Sequence, residues 1–366
     1  MKPYQPEHSP QKNFLEPELR DIINPRHELV VLSQRIDWTT CEAHFGELYH
    51  QSDGRPGLPI RLLVGLHFIK HLYKLSDEQC VARWVENPYY QYFCGEQYFQ
   101  HRMPLDPTSM TRFRQRLGEA GVNELLKLTI QAGLDTGTIQ PESLKLVVAD
   151  TTVMEKSVAY PTDLRLLLKA RQYLVAQAKA HGIQLRQTYA KEFRALAHKA
   201  SGYAHARQMN RLRNVLRKMS HRIGRLMREL MRKVPADEAQ AGLLSVIERA
   251  GQAVKQSMDP KTSDKLYAFH APEVACIRKG KARNPNEFGC KVSVVTTAEE
   301  YFVLACHALP GNPYDGHTLN SSLIKTTANT GVLPGSVLVD RGYKSAERRN
   351  DVIAVHITGR KTGKGK

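Results

Sequence analysis

The sequence of 366 residues predicts an α/β protein, in which a mixed sheet is interrupted by a long helical insert and preceded by an all-α N-terminal domain. Three observations predict this class. Apolar residues recur at three- and four-residue steps before residue 140. Short β-rich runs occur at residues 144–149 and again after residue 285. The intervening segment, about 155–285, has a helical pattern and a strong positive charge.

The N-terminal region begins with a segment rich in proline and charge, so residues 1–25 are predicted to form a flexible arm. Residues 26–140 are predicted to form a helical domain that binds DNA. Within it, residues 59–72 place apolar side chains on one helical face. Ser76 and Gln79 have the spacing of a capping box, which predicts that a further helix begins there.

A basic helix follows later in the same domain. Asp106 and the residues after it predict a helix start, Gly118 predicts its end, and another helix follows. Arg112, Arg114 and Arg116 lie on this helix. Two short helices followed by a basic one are compatible with a helix-turn-helix-like DNA reader. They are equally compatible with a small helical bundle that has a basic solvent face.

The pattern changes to strands at Ser143, where a core of residues 141–366 is predicted to begin. Its first strand, residues 144–149, ends in Asp150. The expected order βββαβαβ is split after this strand by the insert. The remaining strands are expected at 288–297, 301–309, 336–339 and 352–357, with helices at 318–327 and near 345–350.

The positive charge of the chain is concentrated in the insert. The formal net charge is +17, and the window from Arg165 to Lys233 contains 18 Lys or Arg against two acids. Such an excess favours a nucleic acid as partner through counterion release, whereas a membrane surface or a merely solvated face is less favoured. A helix over 205–232 has an apolar stripe with arginines mostly off it. The arginines expected to contact DNA are Arg211, Arg217, Arg222, Arg225 and Arg232.

Several function classes find no support in the sequence. No run of eighteen apolar residues and no apolar signal core occurs, so a cytoplasmic, nucleoid-associated protein is expected. The six cysteines lack CxxC pairing, which favours reduced thiols over a zinc site. No phosphate-binding loop and no convincing Ser/His/Asp arrangement is present, so an ATPase or a serine hydrolase is not expected.

Two aspartates are the candidate catalytic and metal-binding residues. Asp150 follows the apolar run LVVA, and Asp340 follows SVLV. Because the carboxyl ends of parallel strands line the ligand crevice of an open sheet, the two carboxylates are expected to converge there. Paired carboxylates bind hard ions such as Mg²⁺, which catalyse phosphoryl transfer. Either Asp alone more readily caps a turn or helix, but the pair in a basic chain favours a metal site.

Polar residues elsewhere in the core are predicted to have structural rather than catalytic roles. Lys291 on the second strand is expected to be a solvated lysine rather than a phosphate ligand. Asn312, Asp315 and His317 lie in a Gly-Asn-Pro-rich stretch that predicts a turn rather than a catalytic site.

Several separated motifs carry a family resemblance. The segments VVADTTV at 147–153, NEFGCKVSVV at 286–295, LPGNPYDGHTL at 309–319 and VLVDRGYKS at 337–345 resemble the insertion-sequence-five group of DDE transposases. Residues 54–95 and 106–118 resemble the helical leading domain of that group.

The resemblance implies a fold, an activity and its partners. The core would be ribonuclease-H-like, with Asp150 and Asp340 as the first two acids that bind Mg²⁺ or Mn²⁺. The chain would cut and join transposon ends by metal-dependent phosphoryl transfer. Its partners would be double-stranded DNA, namely the terminal inverted repeats and the target, and the chain would act as a homo-oligomer on DNA.

The sequence departs from this group at one position. The group's third acid is a glutamate on a helix after the fifth strand, and neither Glu347 nor Asp351 has that place. The chain is therefore expected to be a C-terminally truncated copy with impaired activity. The alternative is a non-catalytic DNA-binding remnant or a regulator of intact transposase. A nuclease that acts on RNA or repair intermediates would share the core chemistry, but the N-terminal helical domain disfavours it.

Overall fold

A computed structural model describes residues 17–49, 56–234, 241–278, 285–344 and 352–358. The chain is a mixed α/β protein, as predicted, and it divides into two compact units. The first unit comprises the described parts of 1–150, 294–306 and 319–366, and the second those of 151–293 and 307–318. Among the described residues, no helix combines the length and the apolar character needed to cross a membrane.

The N-terminal part of the first unit is helical. Its helices pack around a core that includes Phe45, Trp84, Phe93 and Phe113, all nearly inaccessible to solvent. Burial of such aromatic side chains is a major source of stability in a small helical core. The helices are α1 (Leu19–Ile22), α2 (Glu28–Arg35), α3 (Trp38–Gly46), α4 (Ile60–Leu72), α5 (Asp77–Glu86), α6 (Pro88–Phe93) and α7 (Thr108–Asp135).

Local signals in this region act as predicted. Ser76 accepts a hydrogen bond from the Gln79 N–H, and the Gln79 side chain returns one to the Ser76 N–H, so the capping box begins α5. Gly118 has φ 58° and ψ −163° and breaks α7 into two helical parts. Such a positive φ suits glycine, which explains why the predicted helix ends there.

The start of the described chain differs from the predicted arm. Residues 19–22 form α1 rather than part of a flexible segment. Leu19 is fully buried, and its N–H donates a hydrogen bond of 2.8 Å to the Gln97 carbonyl. This apolar contact and backbone bond fix the segment. Residues 1–16 of the predicted arm lie outside the described residues.

The sheet is mixed, with parallel and antiparallel pairs. Its strands lie in the order β2-β3-β1-β5-β6, and β4 pairs with β3. β1 pairs in parallel with β5, and β5 with β6, whereas β2 is antiparallel to β3. The strands are β1 (Leu146–Glu155), β2 (Ala275–Arg278), β3 (Asn286–Thr297), β4 (Val303–Leu309), β5 (Ser336–Val339) and β6 (Ala354–Ile357). Among the strands of the described residues, β2 is the one that the sequence did not predict.

The sheet core of the first unit also receives α7. Ile130 of this helix is buried in the same cluster as Val147 of β1 and Val337 of β5. The earlier part of α7, with Phe113, is buried in the N-terminal helical core. One helix therefore serves both cores, and the domain boundary predicted at residue 140 does not separate the two compact units. Helix α12 (Asp315–Thr330) covers the predicted helix at 318–327. The helix expected near 345–350 lies outside the described residues.

The second unit contains the predicted helical insert. Leu226 and Leu230 of its longest helix are fully buried among the apolar residues of the neighbouring helices. This helix confirms the one predicted over 205–232, because the apolar stripe faces the core and most arginines face outward. The helices of the insert are α8 (Asp163–Ala180), α9 (Ala190–His205), α10 (Met209–Lys233) and α11 (Ala241–Met258).

Candidate carboxylate pair and nucleic-acid interface

Asp150 lies on β1, and Asp340 directly follows the neighbouring strand β5. In the parallel pair of β1 and β5, Leu146 aligns with Ser336 and Val148 with Leu338, an offset of 190 residues (336 − 146). Continuing this offset by two residues beyond the last aligned pair, Val148 and Leu338, would bring Asp150 beside Asp340. Adjacent strands lie about 4.8 Å apart, so the two Cα atoms are expected at about that separation.

The side chains of this pair share one face of the sheet. Val147 and Val337 are buried, whereas Val148 and Leu338 are half-buried. Because side chains alternate along a strand, Asp150 and Asp340 both follow the less buried face, and both are exposed. The paired register ends at Val148 and Leu338, so the convergence of the two acids stays a prediction.

The position of Asp150 within its strand differs from the expectation. Asp340 directly follows β5, as predicted, but β1 continues past Asp150 to Glu155. The extension is a strand because Thr151 to Glu155 lie alongside β3. A Cβ atom on Gly289 would collide with the Met154 carbonyl, and the Lys156 N–H donates to the Phe288 carbonyl at 3.0 Å.

Asp340 also has a local structural role. Its Oδ1 accepts a hydrogen bond of 2.8 Å from the Gly342 N–H and caps the 3₁₀ turn Arg341–Tyr343. Asp340 therefore caps a turn, which is the structural alternative expected for a lone Asp after a strand. Within the described ranges, no group of three or more His, Cys, Asp or Glu side chains is placed to hold a metal ion. Glu347 and Asp351 lie outside those ranges.

An ion pair between the buried Lys291 and the half-buried Asp315 contacts Thr151, the residue after Asp150. Lys291 is buried, its Nζ lies 2.5 Å from Asp315 Oδ1, and it donates to the Pro313 carbonyl at 2.7 Å. Thr151 donates its hydroxyl to the same Asp315 oxygen at 2.7 Å. The prediction of a solvated Lys291 was wrong, because a buried ammonium group needs a paired carboxylate.

The stretch around Asp315 also differs from the predicted turn. Asp315 and His317 belong to the first turn of α12. A carboxylate at a helix N-terminus is stabilised by the helix dipole, which accounts for the start of α12 at this residue. Asn312 precedes the helix and lines the cleft next to Lys291.

The three arginines of the predicted DNA reader have different surroundings. Arg114 makes two hydrogen bonds to Asp77, of 2.9 and 2.7 Å, and Lys70 binds the same carboxylate at 2.6 Å. The Arg114 guanidinium, followed by Lys70, holds the pKa of Asp77 well below its usual range. Arg114 thus belongs to an internal ion pair of the helical domain.

Arg112 and Arg116 remain on the exposed side of α7. Both line one hollow with Tyr49, and the Arg116 guanidinium lies 4.6 Å from the centre of the Tyr49 ring. A guanidinium stacked on a ring keeps its edge available for a phosphate. Arg112 and Arg116 therefore share an exposed, positively charged surface, whereas Arg114 is engaged in the ion pair with Asp77.

The arginines of the insert fall into two groups. Arg222 pairs with Glu192 at 3.0 Å and lies over the Tyr189 ring. Arg211 donates a hydrogen bond to Gln208, which directly precedes α10, and Arg217 donates one to Asn214 on the same helix. Arg225 and Arg232 instead line one pocket. This arginine pocket is lined by Arg186, Gln187, Tyr189, Arg225, Arg228, Glu229, Met231 and Arg232.

Two arginines of this pocket escaped the sequence prediction. Arg228 lies three residues after Arg225 and four before Arg232, a spacing that puts all three on one helical face and that could have identified it. Arg186 comes from the segment between α8 and α9, and no sequence signal places it there.

The acid in the arginine pocket is already paired. Glu229 accepts hydrogen bonds from Lys233 Nζ at 2.7 Å and from the Arg186 N–H at 2.9 Å. These two bonds lower the pKa of Glu229, Lys233 most strongly, so the carboxylate is ionised and its charge is offset. The pocket keeps an excess of positive charge.

Comparison with known proteins places the chain in a family. Residues 17–116 match the family described as "Transposase domain (DUF772)". A protein of Rhizobium meliloti, described as "Uncharacterized protein ORF8 in nfe locus", is 50% identical over 208 residues, which cover 57% of this chain and 100% of that protein. No solved structure matches the chain significantly. The chain therefore belongs to the family of the Rhizobium meliloti protein, and its residues 17–116 match a transposase domain.

Proposed function

We propose that the chain is a DNA transposase of the DDE type, of the insertion-sequence-five group, with a ribonuclease-H-like core. The observation that carries this proposal is the parallel register of β1 with β5, because its continuation would bring the exposed Asp150 and Asp340 to one face of the sheet. The transposase domain match over residues 17–116 and the cationic surfaces of α7 and α10 support it.

The carboxylate pair fits a divalent cation. Asp150 and Asp340 would present oxygen ligands from one face of adjacent strands, and Mg²⁺ and Mn²⁺ prefer such hard ligands. A bound ion would activate a water or a 3′-hydroxyl and neutralise charge on the phosphodiester. The two aspartates would hold the ion at the sheet surface, and they account for two of the three acids that this group of transposases uses.

The cationic residues would hold the DNA. Phosphates of the terminal inverted repeats and of the target duplex would be contacted by Arg112 and Arg116 of the N-terminal domain and by five arginines of the insert, Arg211, Arg217, Arg222, Arg225 and Arg232. Because α7 and α10 are fixed by buried apolar faces, their arginines are presented on rigid elements. The chain would act as a homo-oligomer on DNA.

The test compares Asp150→Asn and Asp340→Asn with the unchanged protein on duplexes that carry the ends of the element. With Mn²⁺, each substitution is expected to reduce strand cleavage at least about 100-fold, because it removes a charged metal ligand. Duplex binding should persist. Glu155→Gln, which alters another exposed acid of β1, is the matched control and should cleave normally.

The same experiment separates the alternative. If the unchanged protein binds the duplexes but Mn²⁺ produces no cleavage that depends on Asp150 or Asp340, the chain is a non-catalytic DNA-binding remnant or a regulator of intact transposase.

A further inference from the structure

The arginine pocket of the second unit has a chemistry of its own. We propose that Arg186, Arg225, Arg228 and Arg232 form a phosphate-binding site within the insert. This inference rests on the proposed function for the identity of the phosphate carrier, which would be DNA, but the site itself depends only on the residues that line it.

Two elements bring the four guanidinium groups together. Arg225, Arg228 and Arg232 lie on one face of α10, at steps of three and four residues. Arg186 approaches from the segment before α9, where its N–H bonds to Glu229 at 2.9 Å. This backbone bond ties the segment to α10 and fixes one wall of the pocket.

The helix that carries three of the arginines is itself held firmly. Ile223, Leu226 and Leu230 alternate with the arginines along α10, and each is fully buried in the core of the insert. The Arg232 Nε also donates to the Arg228 carbonyl at 3.2 Å, which restrains its side chain. A ligand would therefore meet a largely preformed site, which lowers the entropic cost of binding.

In the described part of the chain, the pocket carries more positive than negative charge. Glu229 is the one acid among the residues that line it, and Lys233 already neutralises it at 2.7 Å. Across the described residues, no carboxylate lies within ion-pair distance of the guanidinium groups of Arg186, Arg225 or Arg228. Four like charges repel one another, so an arrangement of this kind favours an anionic ligand.

The shape of the donors selects phosphate among anions. A guanidinium group is planar, permanently charged and able to bind two phosphate oxygens at once. The pocket is open at the surface, and Arg186, Arg225, Arg228 and Arg232 are all exposed. A phosphate attached to a polymer can therefore enter. The phosphate is either a phosphodiester of the duplex backbone or a terminal phosphate at a strand end.

The first experiment measures duplex affinity. Arg225→Gln/Arg228→Gln should weaken binding about tenfold or more at 0.1 M salt and reduce the dependence of log K on log salt by about one to two units. Arg213→Gln/Lys218→Gln is the matched control, because it removes two exposed charges from the same helix outside the pocket. An equal loss in the control would overturn the proposal.

The second experiment needs no DNA. Inorganic pyrophosphate should raise the midpoint of thermal unfolding of the unchanged protein and of the control, and it should not stabilise Arg225→Gln/Arg228→Gln. Equal stabilisation of all three proteins overturns the site. If pyrophosphate acts as expected but no duplex binds the unchanged protein, the phosphate site stands and the proposed function fails.

A final comparison identifies the source of the phosphate. The affinities of the unchanged protein and of Arg225→Gln/Arg228→Gln are measured for duplexes that end in a 5′-phosphate and for duplexes that end in a 5′-hydroxyl. A pocket for a terminal phosphate predicts that only the unchanged protein prefers the 5′-phosphate. A pocket for the backbone predicts equal affinity for both ends and the same tenfold loss in the variant.

Discussion

Asp77 illustrates how single charged residues contribute to this molecule. It begins α5, it is largely buried, and it binds both Arg114 and Lys70. Arg114 and Lys70 stabilise the ionised carboxylate of Asp77. Removal of the carboxylate or of these cations would leave the remaining charges poorly compensated. Arg114 is consequently a structural residue, in contrast with its neighbours Arg112 and Arg116.

Asp77→Asn is expected to lower the free energy of unfolding by about 1–3 kcal/mol near pH 7. The pKa of Asp77 is lower in the folded than in the unfolded chain, so its contribution is present above the unfolded value of about 4 and is lost as the pH falls through the folded value. The destabilisation should therefore shrink below pH 4. Urea unfolding at several pH values measures it.

Glu78→Gln serves as the control for this substitution. Glu78 is also in the first turn of α5, but it is exposed, so the change tests the helix dipole alone. A loss of stability for Asp77→Asn no larger than that for Glu78→Gln would contradict the role of the ion pair.

The burial and pairing of Lys291 could not be predicted from the sequence. A lysine between Cys290 and Val292 has the same local sequence whether its ammonium group is solvated or paired. The pairing depends on Asp315, 24 residues later (315 − 291), and on the fold that brings the two together. The candidate acids Asp150 and Asp340 were predicted from the apolar run that each follows, and of the two only Asp340 directly follows its strand in the structure.

At the scale of elements, periodic patterns were the most informative part of the sequence. The apolar stripe of α10 predicted its length and its exposed arginines, because 25 residues give many repeats of the helical spacing. β2 has four residues, too few for such a pattern, and it was missed. β1 ran five residues beyond Asp150 because its end is set by pairing with β3, which local sequence does not encode.

Gly289 permits the close approach of β1 and β3. A Cβ atom there would collide with the Met154 carbonyl, a backbone atom that cannot turn away. Gly289→Ala is expected to destabilise the protein by at least about 2 kcal/mol, since the strands must separate. Thermal unfolding would show this change as a lower midpoint.

A second glycine provides the comparison. Gly202 lies in α9 with open space around its Cβ position, so Gly202→Ala should be neutral or stabilise by up to about 1 kcal/mol. Equal midpoints for Gly289→Ala and the unchanged protein would contradict the tight contact between the strands.

For the whole molecule, the sequence predicted the mixed α/β class and the helical insert, but it did not predict the division into compact units. The boundary near residue 140 was expected where a helical pattern changes to strands. In the structure, α7 contributes Phe113 to the helical core and Ile130 to the sheet core, so the first unit continues past it. A helix shared by two cores looks, in sequence, like any other amphipathic helix.

The central claim for the whole molecule is that Asp150 and Asp340 together hold a divalent cation. Titration of Mn²⁺, followed by electron paramagnetic resonance, tests it directly in the unchanged protein, in Asp150→Asn/Asp340→Asn and in the control Glu155→Gln. A cation site formed by the two aspartates predicts Mn²⁺ binding by the unchanged protein and the control, and affinity at least about tenfold weaker in the double variant. Equal Mn²⁺ affinity in all three proteins would contradict it.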